Sequence, residues 1–132
     1  MNAQRPSRKQ QSGSDAYKRG YFVEYIARLY LRLKGYKIIA KNYKTPVGEI
    51  DIIAKKGKAI AFVEVKYRAD KTEALYAIPP RTQKRVSRAA EHFIAHDRRY
   101  TQGNTLNYTL RFDIIACGQP YSIVHIKNAW LQ

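Results

Sequence analysis

Cysteine is all but missing from this chain of 132 residues. Cys117 is the only one, so no internal disulfide can form, and a reducing cytoplasm is the expected setting. Long apolar runs are missing too: none approaches the roughly 20 residues that a membrane helix needs. The opening stretch MNAQRPSRKQQSGSD carries charges with no apolar segment behind them, so no secretory signal is expected. A myristoylation glycine and a prenylation motif are also lacking, which argues against a lipid anchor. Negative charge is scarce. Ten Asp and Glu stand against 25 Lys and Arg, a formal net charge of +15. A surface so dominated by one sign repels itself and calls for an anionic partner. Nucleic acid is the first candidate, a membrane surface a distant one.

What is present suits a folded domain. The apolar fraction, 45%, is ordinary, and the length matches one domain with one core. Residues 1–13, with Arg5, Arg8 and Lys9, read as a disordered basic tail, and 14–132 as a single domain. Ser14 or Asp15 has the chemistry of a helix N-cap. Phe22, Ile26, Leu29, Tyr30 and Leu33 then recur at helical spacing, and Gly35 suits the position just past the helix end. A strand is expected over 36–44, a turn at Thr45-Pro46-Val47-Gly48, and strands over 49–55 and 58–67 joined at Lys56-Gly57. After a loop over 68–78, Pro79-Pro80 opens a second helix with the apolar stripe Val86, Ala89, Ala90, Phe93 and Ile94. Strands over 107–117 and 121–127 close the chain around Gly118-Gln119-Pro120. The order α-β-β-β-α-β-β predicts an α/β fold with a central mixed five-stranded sheet flanked by helices.

Within the stretch VGEIDIIAKKGKAIAFVEVKYR, the acids Glu49, Asp51 and Glu64 interrupt runs of Ile, Val, Phe and Ala. Alternation puts Glu49, Asp51 and Ile53 on one strand face, and Ile60, Phe62, Glu64 and Lys66 on one face of the next. With Lys56-Gly57 as the loop, Asp51 faces Phe62 and lies diagonally from Glu64, roughly 7–8 Å away. A slip of two residues would set the two acids directly opposite each other. Facing carboxylates repel, so a cation between them is expected. Lys66 supplies one charge. A divalent ion supplies more, and oxygen donors without clustered Cys or His favour Mg²⁺ or Mn²⁺. The competing reading is a salt-bridged sheet face, whose exposed pairs are worth under about 1 kcal/mol and need no function.

Asp51 followed by Glu64-Val65-Lys66 resembles the core motif of the PD-(D/E)XK nuclease superfamily. The longer string, with Gly20, Glu24 and Ala27 before it and Gly35-Tyr36 between, closely resembles the YraN family of small bacterial proteins, itself similar to archaeal Holliday-junction resolvases. That resemblance implies a restriction-endonuclease-like fold and metal-dependent hydrolysis of DNA, on branched DNA by likeness to the resolvases. It assigns Asp51, Glu64 and Glu24 to the metal, with Lys66 as the catalytic lysine. Glu49 is left as a supporting base or a solvated strand edge. Ile50 stands where the superfamily motif nominally has proline. A homodimer is a further implication, and a non-catalytic nucleic-acid-binding module on the same fold is the rival reading.

Arg81, Lys84, Arg85 and Arg88 fall on one side of the second helix with no glutamate at i±4, a pattern suited to phosphate contact. Tyr67 and Arg68, just past Lys66, are placed to touch a substrate. His92 and His96 lie one turn apart, but Phe93 takes the glutamate position of a His-Glu-x-x-His zinc site, so partnership with Glu91 and Asp97 is expected instead. His125 carries no assigned chemistry, and Cys117 reads as a buried inert thiol.

Overall fold

In the computed structural model of the protein, residues 8–67, 78–97, 108–118 and 122–130 are described, with the side chains of the first helix from Gly20 onward. The elements follow the expected order: α1 (Arg8–Leu33), β1 (Lys37–Thr45), β2 (Gly48–Lys56), β3 (Ala59–Tyr67), α2 (Pro80–His96), β4 (Thr109–Gly118) and β5 (Ser122–Ile126). All the strands join one sheet, in spatial order β1-β2-β3-β4-β5. The β3–β4 pair is parallel and the other neighbours are antiparallel. The sheet is therefore mixed and five-stranded, with α1 on one face and α2 on the other. Residues 1–7, Arg68, the loop over 68–77 and the Gln119-Pro120 part of the last turn lie outside the described residues.

Helix α1 starts at Arg8, earlier than the cap expected at Ser14 or Asp15, so residues 8–13 of the segment read as a tail are helical. Cap chemistry is a local preference, and a helix can run through it. The other end follows expectation. Gly35 sits at φ +91°, and the amides of Tyr36 and Gly35 donate back to the carbonyls of Leu31 and Arg32 at 2.9 and 3.0 Å. This is the glycine-terminated cap that satisfies the last helical carbonyls.

The face that α1 buries is a correction to the sequence reading. Val23, Ala27 and Leu31 are buried, whereas Phe22, Leu29 and Leu33 of the expected stripe are exposed, at 54%, 44% and 80%. Two apolar stripes run side by side on this helix, and periodicity does not choose between them. The small one wins because Ala27 joins the buried cluster that holds Ala54 and Ala61 of the sheet, and small side chains on both sides let the backbones come close. On the opposite face the prediction holds: Val86, Ala89, Ala90 and Phe93 of α2 are buried against Ile53, Ile60 and Phe62.

Two tight contacts fix the start of β2. Thr45 Oγ1 accepts the amides of Val47 and Gly48 and donates to the Gly48 carbonyl, closing the predicted turn. At Gly48 the backbone of α2 lies so close that a Cβ would collide with the Arg85 carbonyl. Glycine here lets the second helix press its first half against the strand that carries Asp51.

Candidate active site

The β2–β3 hairpin turns at Gly57-Lys58, with Gly57 at φ +58°, and Lys56 pairs with Ala59. The loop is one residue later than Lys56-Gly57, so the register moves by two. Ile53 pairs with Phe62 and Ile52 with Val63, which puts Asp51 level with Glu64 rather than with Phe62. The left-handed glycine suits a two-residue turn, and it decides the register.

The backbone ladder between β2 and β3 ends at Ile52–Val63. Beyond it the strands part, and Asp51 Oδ2 accepts the Val65 amide at 2.8 Å. Strict alternation also breaks here. Ile50 and Ile53 pack toward α2, while Ile52 and Ala54 pack toward α1. Asp51 therefore does not share a face with Ile53 in the expected way. Its carboxylate occupies the fork between the strands, within reach of groups from both sides.

Those groups are acids. Glu64 and Asp51 share a hydrogen bond, and burial pushes the Glu64 carboxyl up to about 8, with the Asp51 charge adding to the rise and Lys66 opposing it. Lys66 Nζ lies 3.3 Å from Glu64 Oε1, the two side chains 26% and 13% exposed. Asp51 is also raised, by burial first, against the pull of the Val65 amide, the Glu64 hydrogen bond and Lys66. From α1, Glu24 hydrogen-bonds to Asp51, and burial followed by the Asp51 charge raises it as well. The Asp51 charge raises the proton affinity of both Glu64 and Glu24, the mark of a site short of positive charge. Among the described residues no three His, Cys, Asp or Glu side chains form a ready-made metal cage. The acids meet pairwise, through Asp51.

Glu49 is exposed, pairs across to Lys44 and raises Asp51 by its charge. With Glu24, Asn42 and Lys44 it lines a cavity of about 200 Å³ over Asp51. Asn42 was not singled out in the sequence. It lies between the Lys41–Ile52 and Tyr43–Ile50 pairs, level with Asp51. Its φ is +49°, in the left-handed region, and its side chain hydrogen-bonds to Glu24. A non-glycine residue held in that conformation inside a strand stores strain of the kind found at functional sites. An Asn interrupting β1 was the only sequence signal.

The four cations predicted on the second helix do gather. Arg81, Lys84, Arg85 and Arg88 are exposed and line one cavity of about 350 Å³ with Pro80. Through the Gly48–Arg85 contact this face abuts the strand leading to Asp51. Tyr67 is half-buried and packs toward α1 with the cluster of Val65 and Cys117. Arg68 is outside the described residues.

The histidines have contacts that the sequence did not reveal. His92 Nδ1 meets the Tyr43 hydroxyl at 2.8 Å, and His96 stacks on His92 and bonds its carbonyl. Tyr43 reaches His92 across the α2 face of the sheet, which is why sequence neighbours did not reveal it. His125 has a partner after all. Its Nε2 lies 2.8 Å from Asp113 Oδ2. Asp113 is fully buried and also receives Arg111 and the Asn128 amide. Cys117 is buried as predicted, and burial pushes its thiol up to about 11.

Comparison with known proteins adds the family. Residues 23–117 match the family described as "Uncharacterised protein family UPF0102". A UPF0102 protein of Parvibaculum lavamentivorans is 41% identical over 119 residues, covering 90% of this chain and 86% of that protein. Another, from Mesorhizobium japonicum, is 38% identical over 97% of this chain and 96% of its own length. A third, from Caulobacter vibrioides, is 38% identical over 92% and 94%. Among the described residues no helix is long and apolar enough to cross a membrane.

Proposed function

The chain belongs to the UPF0102 family, and from the acids gathered at Asp51 we propose that it is a divalent-metal-dependent nuclease hydrolysing phosphodiester bonds in DNA. One observation carries this reading. Where the β2–β3 ladder ends, Asp51 takes the Val65 amide and meets Glu64, while Lys66 stands 3.3 Å from Glu64. A structural sheet would continue the ladder and would not bury facing carboxyls in a chain with ten acids in all.

The donor set fits a hard dication. Asp51, Glu64 and Glu24 offer oxygen alone, and burial raises all three above their ordinary values, a shift that a nearby dication would oppose. A three-acid cage is not required, because Mg²⁺ keeps most of its waters and is commonly held by one or two carboxylates. When bound, such an ion lowers the pKa of a water and offsets charge growing on the phosphate.

The chain's own groups supply the rest. Lys66 donates to a phosphate oxygen as its charge grows, and Glu64 holds the lysine in place. Arg81, Lys84, Arg85 and Arg88 grip the backbone beside the site, which gives binding a steep salt dependence. Glu49 accepts a proton at the exposed edge of the cavity.

The rival is a nucleic-acid-binding module without useful catalysis, favoured by the absence of a ready-made cage among the described residues. Labelled linear, single-stranded and four-way-junction DNA with Mg²⁺ or Mn²⁺ separates the two. Cutting that stops with EDTA, and falls at least about 100-fold in Lys66→Ala, is the expected result. Salt-sensitive binding without cutting, unchanged in Asp51→Ala, would leave the module. The junction arm tests preference for branched DNA.

A further inference from the structure

A third cavity, of about 400 Å³, lies between α1 and the edge strand β1. Its volume is in the range of small-ligand sites and far below what a duplex needs. Tyr21, Tyr25, Arg28, Arg32 and Lys41 line it. Arg28 is only 7% exposed, and Glu24, one helical turn earlier, feels its charge. Tyr21 and Tyr25 sit on the opposite footing, 64% and 51% exposed. Large aromatic rings held in solvent beside three cations are costly to leave bare, and they match a ligand with both a π-face and an anion.

The cleft is opened by the backbone. The β1–β2 register shifts between Ile38 and Ala40, and both residues, with Ile39, form its floor. Edge-strand irregularities of this kind re-aim side chains next to functional sites. The acidic cavity is built on the same two elements, α1 and β1. Arg28 follows Glu24 by one turn of α1, and Lys41 precedes Asn42 in β1, Glu24 and Asn42 being walls of the cavity over Asp51.

We propose that this cleft seats an unpaired nucleotide of the DNA strand entering the Asp51 site, its phosphate on Arg28, Arg32 and Lys41 and its base on Tyr21 or Tyr25. The inference deepens the nuclease reading and rests on it for the identity of the strand. It makes the substrate one with a single-stranded segment, because a paired base cannot present its face to a tyrosine.

Binding is measured without chemistry, by fluorescence anisotropy of labelled oligothymidylate and of a duplex of equal length, with full-length protein in EDTA. Tyr21→Ala/Tyr25→Ala weakens the single strand about tenfold or more and leaves the duplex unchanged. Arg32→Ala and Lys41→Ala each reduce the slope of log K against log salt by about 0.7 on the single strand. All these side chains are exposed, so the variants keep the fold. Unaltered oligothymidylate binding in the double tyrosine variant overturns the proposal, as does an equal loss on duplex. Cleavage is scored separately. Loss of strand binding in the cleft variants with no cutting by wild type would sink the nuclease reading and leave the cleft standing. Cutting abolished by Asp51→Ala, together with intact strand binding in the cleft variants, would do the reverse.

Discussion

The Val65 amide donates to the Asp51 carboxylate at 2.8 Å, in place of the ladder bond that β2 would otherwise supply. Asp51 is thus a structural acceptor for the central strand as well as a group facing the cavity. The two duties separate by substitution. Asp51→Asn keeps an acceptor oxygen and should unfold in urea near the wild-type midpoint. Asp51→Ala leaves a buried amide unpaired and should lose about 1–3 kcal/mol. Both should lose DNA cleavage.

Glu64 makes the site sensitive to pH in a direction opposite to ordinary acid denaturation. Its carboxyl, normally near 4.5, is raised to about 8 in the fold. The native state therefore binds a proton that the unfolded chain has released, and stability falls as pH rises from about 4.5 to about 8. Thermal melts of metal-free protein should show this decline. Glu64→Gln should flatten it, and Mg²⁺ should restore the wild-type midpoint near pH 8 without helping Glu64→Gln equally.

Gly48 tests the coupling between the basic helix and the acidic fork. In Gly48→Ala the new methyl meets the Arg85 carbonyl, so α2 must move outward. Stability should drop by about 1–3 kcal/mol. Duplex binding should weaken further than this loss explains, because Arg81, Lys84, Arg85 and Arg88 move with the helix. Equilibrium unfolding and anisotropy on the same preparation separate the two effects.

Asp113 governs the acid limit. Burial alone would raise it, but hydrogen bonds from His125, Arg111 and the Asn128 amide outweigh burial and hold it below its ordinary value of 3.8. That stabilisation is present above the unfolded value and disappears as pH falls through the lower, folded one. Arg111→Met leaves the buried carboxylate short of a partner. It should cost about 3–5 kcal/mol near neutrality and move the acid-unfolding midpoint upward, as followed by circular dichroism.

How legible this was in the sequence depended on how local the cause was. Pro79-Pro80, Gly35 and Thr45-Pro46-Val47-Gly48 act within a few residues, and the helix start, helix end and turn they mark are where they were expected. The acids Asp51 and Glu64 were legible because charge inside an apolar strand is conspicuous. Their register was not, since one residue of turn position decides it and both choices leave an equally apolar pattern. The buried face of α1 was misread because Ala27 carries little hydrophobic signal, yet close approach to Ala54 and Ala61 depends on it. Asn42 and Asp113 owe their roles to partners far along the chain, Glu24 and His125 among them.

Asp51, Glu64 and Lys66 all belong to one hairpin, whereas β3 must find β4 about 50 residues further on, Ala59 against Thr109. Short-range contacts form early and long loops close late. On a growing chain, the facing acids would come together before α2 and β4 exist, the cations of the second helix would follow, and β4 would join last. Assembly in that order keeps the grip on DNA from preceding the site that acts on it.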